Sequence, residues 1–143
     1  MIQINVDGER IKLNEDSVLI DIYLIEELFS KDPKTNLKKV YSILFTGWLK
    51  SLDSEHRQFY LPYSIDDEFV ETFRATKDGN LIVLKCVSLY VFSFDFKVEE
   101  NFVYEFSLKN HEIAKEYPDN FGEYDIVEFK NALLNYINMA NGN

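Results

Sequence analysis

The chain of 143 residues is 46% apolar and 28% charged, the proportions of one globular domain rather than of a disordered or two-domain chain. Lys and Arg total 15 against 25 Asp and Glu, a formal charge of -10, so repulsion excludes nucleic acid and anionic membrane surfaces as main partners. A single cysteine, Cys86, offers no internal disulfide, and no stretch approaches the roughly 18 apolar residues of a membrane span. Residues 1–10 alternate apolar and polar side chains instead of forming an export leader, and the expectation is a cytoplasmic protein.

Ile2, Ile4 and Val6 alternate with polar residues, and Asp7-Gly8 precedes Ile11 and Leu13, which predicts an opening β-hairpin. Val18, Ile20, Ile22 and Leu24 share one strand face, and their β-branching favours a strand through about Ile25 over a helix reaching Phe29. Leu37, Val40, Tyr41, Leu44, Trp48, Leu49 and Leu52 then recur at helical spacing behind Asp32-Pro33, a cap with a first-turn proline. Gly47 within that helix costs about 1 kcal/mol against alanine, which burial of Trp48 must offset.

From Gln58 the period changes to two. Phe59 and Leu61, then Phe69, Glu71, Phe73 and Ala75, then residues 81–87 read as successive strands, with Asp78-Gly79 a strong hairpin signal. A second hairpin is expected to pair Tyr90, Phe92, Phe94 and Phe96 with Phe102, Tyr104, Phe106 and Leu108. Residues 112–125 read as an acidic loop. Ile126, Phe129, Leu133, Tyr136, Ile137 and Ala140 then keep the 3.6-residue period of a last helix, started by the capping box Asp125 and Glu128. With no repeat or linker, the expectation is a single α+β domain over 1–143: a mostly antiparallel sheet of about six or seven strands with two main helices packed on one face.

Signals for catalysis are thin. His56 lies in a polar loop and His111 follows the last strand expected, so both read as solvated loop histidines, and no metal-binding spacing accompanies them. Cys86 in an apolar strand reads as a small buried hydrophobe, with Lys85 the one neighbour able to lower its pKa. Five isolated glycines make neither a P-loop nor a dinucleotide motif, and no cofactor is expected.

Charge placement is more informative. Residues 1–59 hold 10 acids and 8 bases, whereas residues 60–143 hold 15 acids and 7 bases. The surplus concentrates at Asp66, Asp67, Glu68 and Glu71, and again at Asp119, Glu123 and Asp125, where Tyr117, Phe121 and Tyr124 are interleaved. Rings that desolvate and carboxylates that steer encounter are what a surface needs to dock a basic partner. The competing reading makes the acids a hydration coat and turns the rings inward.

Phe59-Tyr60-Leu61-Pro62-Tyr63 followed by Asp66-Asp67-Glu68-Phe69 runs an aromatic strand end into an acidic turn. With this segment, its acidity and its α+β layout, the chain resembles the small acidic bacterial immunity proteins of polymorphic toxin systems. That resemblance implies a non-enzymatic inhibitor that covers a basic partner such as a toxin nuclease. A second expectation is an intracellular carrier holding a small apolar ligand between sheet and helix by Trp48, Phe92, Phe94, Tyr104 and Phe106. An enzyme using His56 or His111 with a carboxylate ranks third. The edge strands of such a sheet leave self-association open.

Overall fold

A computed structural model of the chain describes residues 2–7, 10–19, 37–65, 69–90 and 102–141. Within them the fold is α+β. Strands β1 (Ile4–Asp7), β2 (Arg10–Leu13) and β3 (Asp16–Leu19) form a small antiparallel sheet. Strands β4 (Gln58–Ile65), β5 (Phe69–Asp78), β6 (Leu81–Tyr90) and β7 (Ile113–Asp125) form a larger antiparallel sheet in chain order. Three helices accompany them: α1 (Leu37–Leu52), α2 (Phe102–Leu108) and α3 (Ile126–Asn141).

The single sheet of six or seven strands is therefore corrected to separate sheets of three and four. The division has a packing cause: α3 lies against α1 and also against β1, so the short opening strands cover a helix instead of extending the large sheet. Asn14 and Glu15 turn β2 into β3, with Asn14 in the left-handed region at φ 58°. The Asn14 side-chain oxygen accepts from the Gln3 amide at 2.9 Å, which satisfies a backbone donor just before β1.

The larger part of the core lies on one face of the large sheet, while Val70, Thr72, Val87 and Leu89, also buried, lie on the other. Cross-strand partners put Phe59, Leu61, Phe73, Ala75, Leu84 and Ile82 on the first face, and all are buried. Trp48 of α1 descends onto it with its ring 5.9 Å from that of Phe73, and its indole N–H donates to the Pro62 carbonyl at 2.9 Å. Tyr41, Leu44, Phe45 and Leu52 complete the buried stripe of α1. Gly79 supplies the expected β5–β6 turn at φ 59°. The Asn80 carbonyl of that turn accepts from the Ile126 amide at 2.9 Å, tying the turn to the start of α3. Asp125 caps α3 by accepting from the Glu128 amide at 3.0 Å.

Two segments differ from their sequence readings. Residues 102–108 are helical, not the second strand of an aromatic hairpin. Val103 and Phe106, three residues apart, are both buried, and Val103 seats against Gly47 of α1. Seven residues this rich in apolar side chains fit either period, and the helical face finds the partner. Residues 113–125 form a strand, not a loop, because the proline, glycine and asparagines that argue against one are absorbed by register breaks on an outer strand. The expected strand through Ile25 is present as far as Leu19, while residues 20–29, Asp32-Pro33 and the strand at 92–96 lie outside the described residues. Among the described residues no helix is long and apolar enough to cross a membrane.

Candidate functional site

Among the described residues β7 pairs with β6 alone and is the outer strand of the large sheet. Its register with β6 is regular from Asp125 to Gly122 and then breaks three times. Leu84 opposes Gly122 and Lys85 opposes Asn120, so Phe121 is extra; Val87 next opposes Glu116, so β7 bows out around residues 117–119. Pro118 sits at the height of this bow, where its missing N–H breaks no ladder bond. Cys86, opposite the bow, has Phe73 as its partner on β5 and no partner on β7.

The displaced strand opens a cleft of about 530 Å³. Tyr63, Cys86, Tyr117 and Phe121 supply its apolar lining, and Asp119 and Asp16 its carboxylates. Asp16 arrives from β3, so the cleft joins the two sheets. Phe121 packs its ring 4.8 Å from that of Phe73, which fixes one wall to the core. Tyr117 is partly exposed and carries the Lys115 ammonium 4.7 Å above its ring.

Electrostatics inside the cleft favour neutral groups at its floor. Burial pushes the Tyr63 hydroxyl well above its ordinary range, and hydrogen bonding to Cys86 and the nearby Glu71 charge push the same way. Burial also raises the Cys86 thiol, while the hydrogen bond from Tyr63 lowers it and Glu71 raises it further. Glu71 shares this sheet face and accepts from the Ser88 hydroxyl at 2.7 Å on both carboxylate oxygens. A thiol so placed is held protonated and is poorly suited to act as a nucleophile.

The cleft gathers Tyr117, Asp119 and Phe121 from the residues singled out in the sequence. The others are spread. Glu71 is engaged by Ser88 beside the cleft. Glu123 is exposed and pairs in register with Val83, on the sheet face opposite Ile82 and Leu84. Tyr124 stacks on Phe129 of α3 at 5.9 Å, its hydroxyl pKa raised by burial and then by Asp16. Asp125 is spent on the helix cap. Asp66, Asp67 and Glu68 lie outside the described residues.

The sequence does not single out Asp16 or Tyr63 as site residues, and it reads Cys86 as a small buried hydrophobe rather than part of a cleft. Tyr63 lies within the aromatic segment that carries the resemblance, but Asp16 has no local signal, since its role depends on how two sheets meet. Of the apolar-ligand residues, Trp48 and Phe106 are buried core side chains, Tyr104 is partly buried on α2, and Phe92 and Phe94 lie outside the described residues.

His56 is exposed in its loop. His111 is not freely solvated: its ring stacks 4.2 Å from Phe106, meets Tyr60 at 5.5 Å, and places Nε2 2.8 Å from the Phe106 carbonyl. Burial lowers its pKa, the hydrogen bond to Phe106 opposes that, and Lys109 lowers it further. Among the described residues no group of three or more His, Cys, Asp or Glu is arranged to hold a metal ion. No family model, curated protein or solved structure matches the chain.

Proposed function

We propose that the chain is a non-enzymatic binding protein that presents β7 to a basic protein partner, in the manner of an immunity protein neutralising a toxin such as a nuclease. The observation that carries this reading is the placement of Glu116, Asp119 and Glu123, all exposed, along a single outer strand whose bow opens a ring-lined cleft. Among the described residues β7 has strand β6 on one side alone, so its other edge offers backbone groups for pairing, and its carboxylates raise the encounter rate with a positive surface and set the register. Arg74 already pairs with Glu116, so Asp119 and Glu123 are the carboxylates available to a partner's cations.

Titration against the product of the adjacent gene tests the reading. Exposed charges act over a Debye length of about 8 Å at physiological salt, so affinity is expected to fall as salt rises. The double variant Asp119→Lys, Glu123→Lys is expected to weaken binding by about tenfold or more and to flatten that salt dependence. Unchanged affinity and an unchanged salt slope in this variant overturn the proposal.

A further inference from the structure

We infer that the cleft under the β7 bow is a guanidinium site, which receives an arginine side chain of the basic partner as the anchor of the interface. The inference rests on the reading of β7 as a partner-binding strand and names the group that strand grips.

Four features point to an organic cation. Asp16 and Asp119, both exposed, bring two carboxylates to the cleft from two different sheets. Its lining contains no basic side chain. Tyr63, Tyr117 and Phe121 provide aromatic walls, whose faces attract cations. Lys115 already stands 4.7 Å over Tyr117, so this ring takes a cation within the chain itself. A neutral apolar guest would cover the two carboxylates without compensating them, and an anion would meet their repulsion.

Between the two basic side chains the cleft favours arginine. A guanidinium is flat and weakly hydrated, so it can slide between rings while its N–H fork engages a carboxylate by two parallel bonds. An ammonium is a compact, strongly hydrated point charge that gives up more water on entering an apolar wall and offers no fork. The volume of about 530 Å³ falls in the range of roughly 300 to 1,000 Å³ of small-ligand sites, enough for one extended side chain.

The test is a two-dimensional NMR titration of the whole chain, at about 0.15 M salt, with four blocked or free probes. These are N-acetyl-arginine amide, its lysine and citrulline counterparts, and free L-arginine. The arginine amide is expected to shift the amides of Tyr117, Asp119 and Phe121 saturably, about tenfold more tightly than the lysine probe, with no effect from neutral citrulline. In the double variant Asp16→Asn, Asp119→Asn the arginine affinity is expected to drop by about tenfold while amide dispersion shows the fold retained. Glu55→Lys, in the exposed loop after α1 and outside the cleft, is expected to leave the arginine affinity unchanged. Equal response to arginine and lysine probes, or shifts spread over all acidic surfaces, overturns the guanidinium assignment. Free arginine binding much more tightly than the blocked amide assigns the cleft to a metabolite and overturns the anchor. If the probes fail while Glu123→Lys still weakens partner binding, the guanidinium site falls and the docking strand stands.

Discussion

Gly47 of α1 and Val103 of α2 meet so closely that a Cβ on the glycine would lie 2.5 Å from Cγ1 of the valine. The glycine that weakens α1 in isolation is therefore what lets the two helices touch. Gly47→Ala gains up to about 1 kcal/mol of helix propensity but forces the backbones apart, and overpacking of this kind costs about 1–3 kcal/mol. Urea unfolding is expected to show a net loss of stability. An alanine variant as stable as the parent, or more so, contradicts this account of the α1–α2 contact.

The same contact explains part of what the sequence concealed. Spacing alone reveals α1, because Tyr41, Leu44, Trp48 and Leu52 repeat over about three turns, and Asp125 with Glu128 announces the start of α3 by its capping box. The hairpin at Asp78-Gly79 is equally legible, since its turn chemistry is local. In residues 102–108 the helix is chosen by Gly47 and by the edge of β4, both distant in the chain. β7 was hidden for a complementary reason: Pro118 and Gly122 signal a loop unless β6 is known to lie beside them with room for a bulge. The cleft follows from that bulge and from Asp16, so the sequence shows part of its lining and not the arrangement.

Tyr136 is 5% exposed, stands edge-on to Phe45 at 5.2 Å and to Tyr41 at 6.5 Å, and its hydroxyl has no hydrogen-bond partner among the described residues. Burial raises its pKa accordingly. An unsatisfied buried hydroxyl costs about 1–3 kcal/mol of desolvation. Tyr136→Phe keeps the ring contacts and is expected to be as stable as the parent or more stable, by calorimetry or urea. A loss beyond about 1 kcal/mol would reveal a partner for the hydroxyl.

Cys86 reports on the floor of the cleft. Burial raises its pKa and the Tyr63 hydrogen bond opposes that rise. Tyr63→Phe removes the opposing contact, so the thiolate fraction at a given pH must fall. Alkylation by iodoacetamide near pH 8 is expected to slow severalfold in this variant and to recover as the pH is raised. Faster alkylation at unchanged stability contradicts the assigned hydrogen bond.

His111 makes stability depend on pH with a definite sign. Burial lowers its folded pKa below the ordinary histidine value of about 6.5. Between the two values the unfolded chain binds more protons than the folded one, so stability is full above about pH 6.5 and falls as the pH drops toward the folded pKa. His111→Phe keeps a ring against Phe106 and Tyr60 but removes the titration. Its urea midpoint is expected to vary less than the parent's between about pH 7.5 and 5. An identical slope in both proteins assigns the acid sensitivity elsewhere.

Hydrogen exchange on the chain, alone and with the product of the adjacent gene, tests the proposed docking strand directly. Slowed exchange is expected across residues 113–123, with Tyr117 and Asp119 of the bow included, and unchanged exchange is expected on α3, whose exposed Val127, Leu134 and Met139 lie on another element. Protection confined to α3 or to the small sheet, with β7 exchanging as it does in the free chain, would contradict a partner held at the acidic strand.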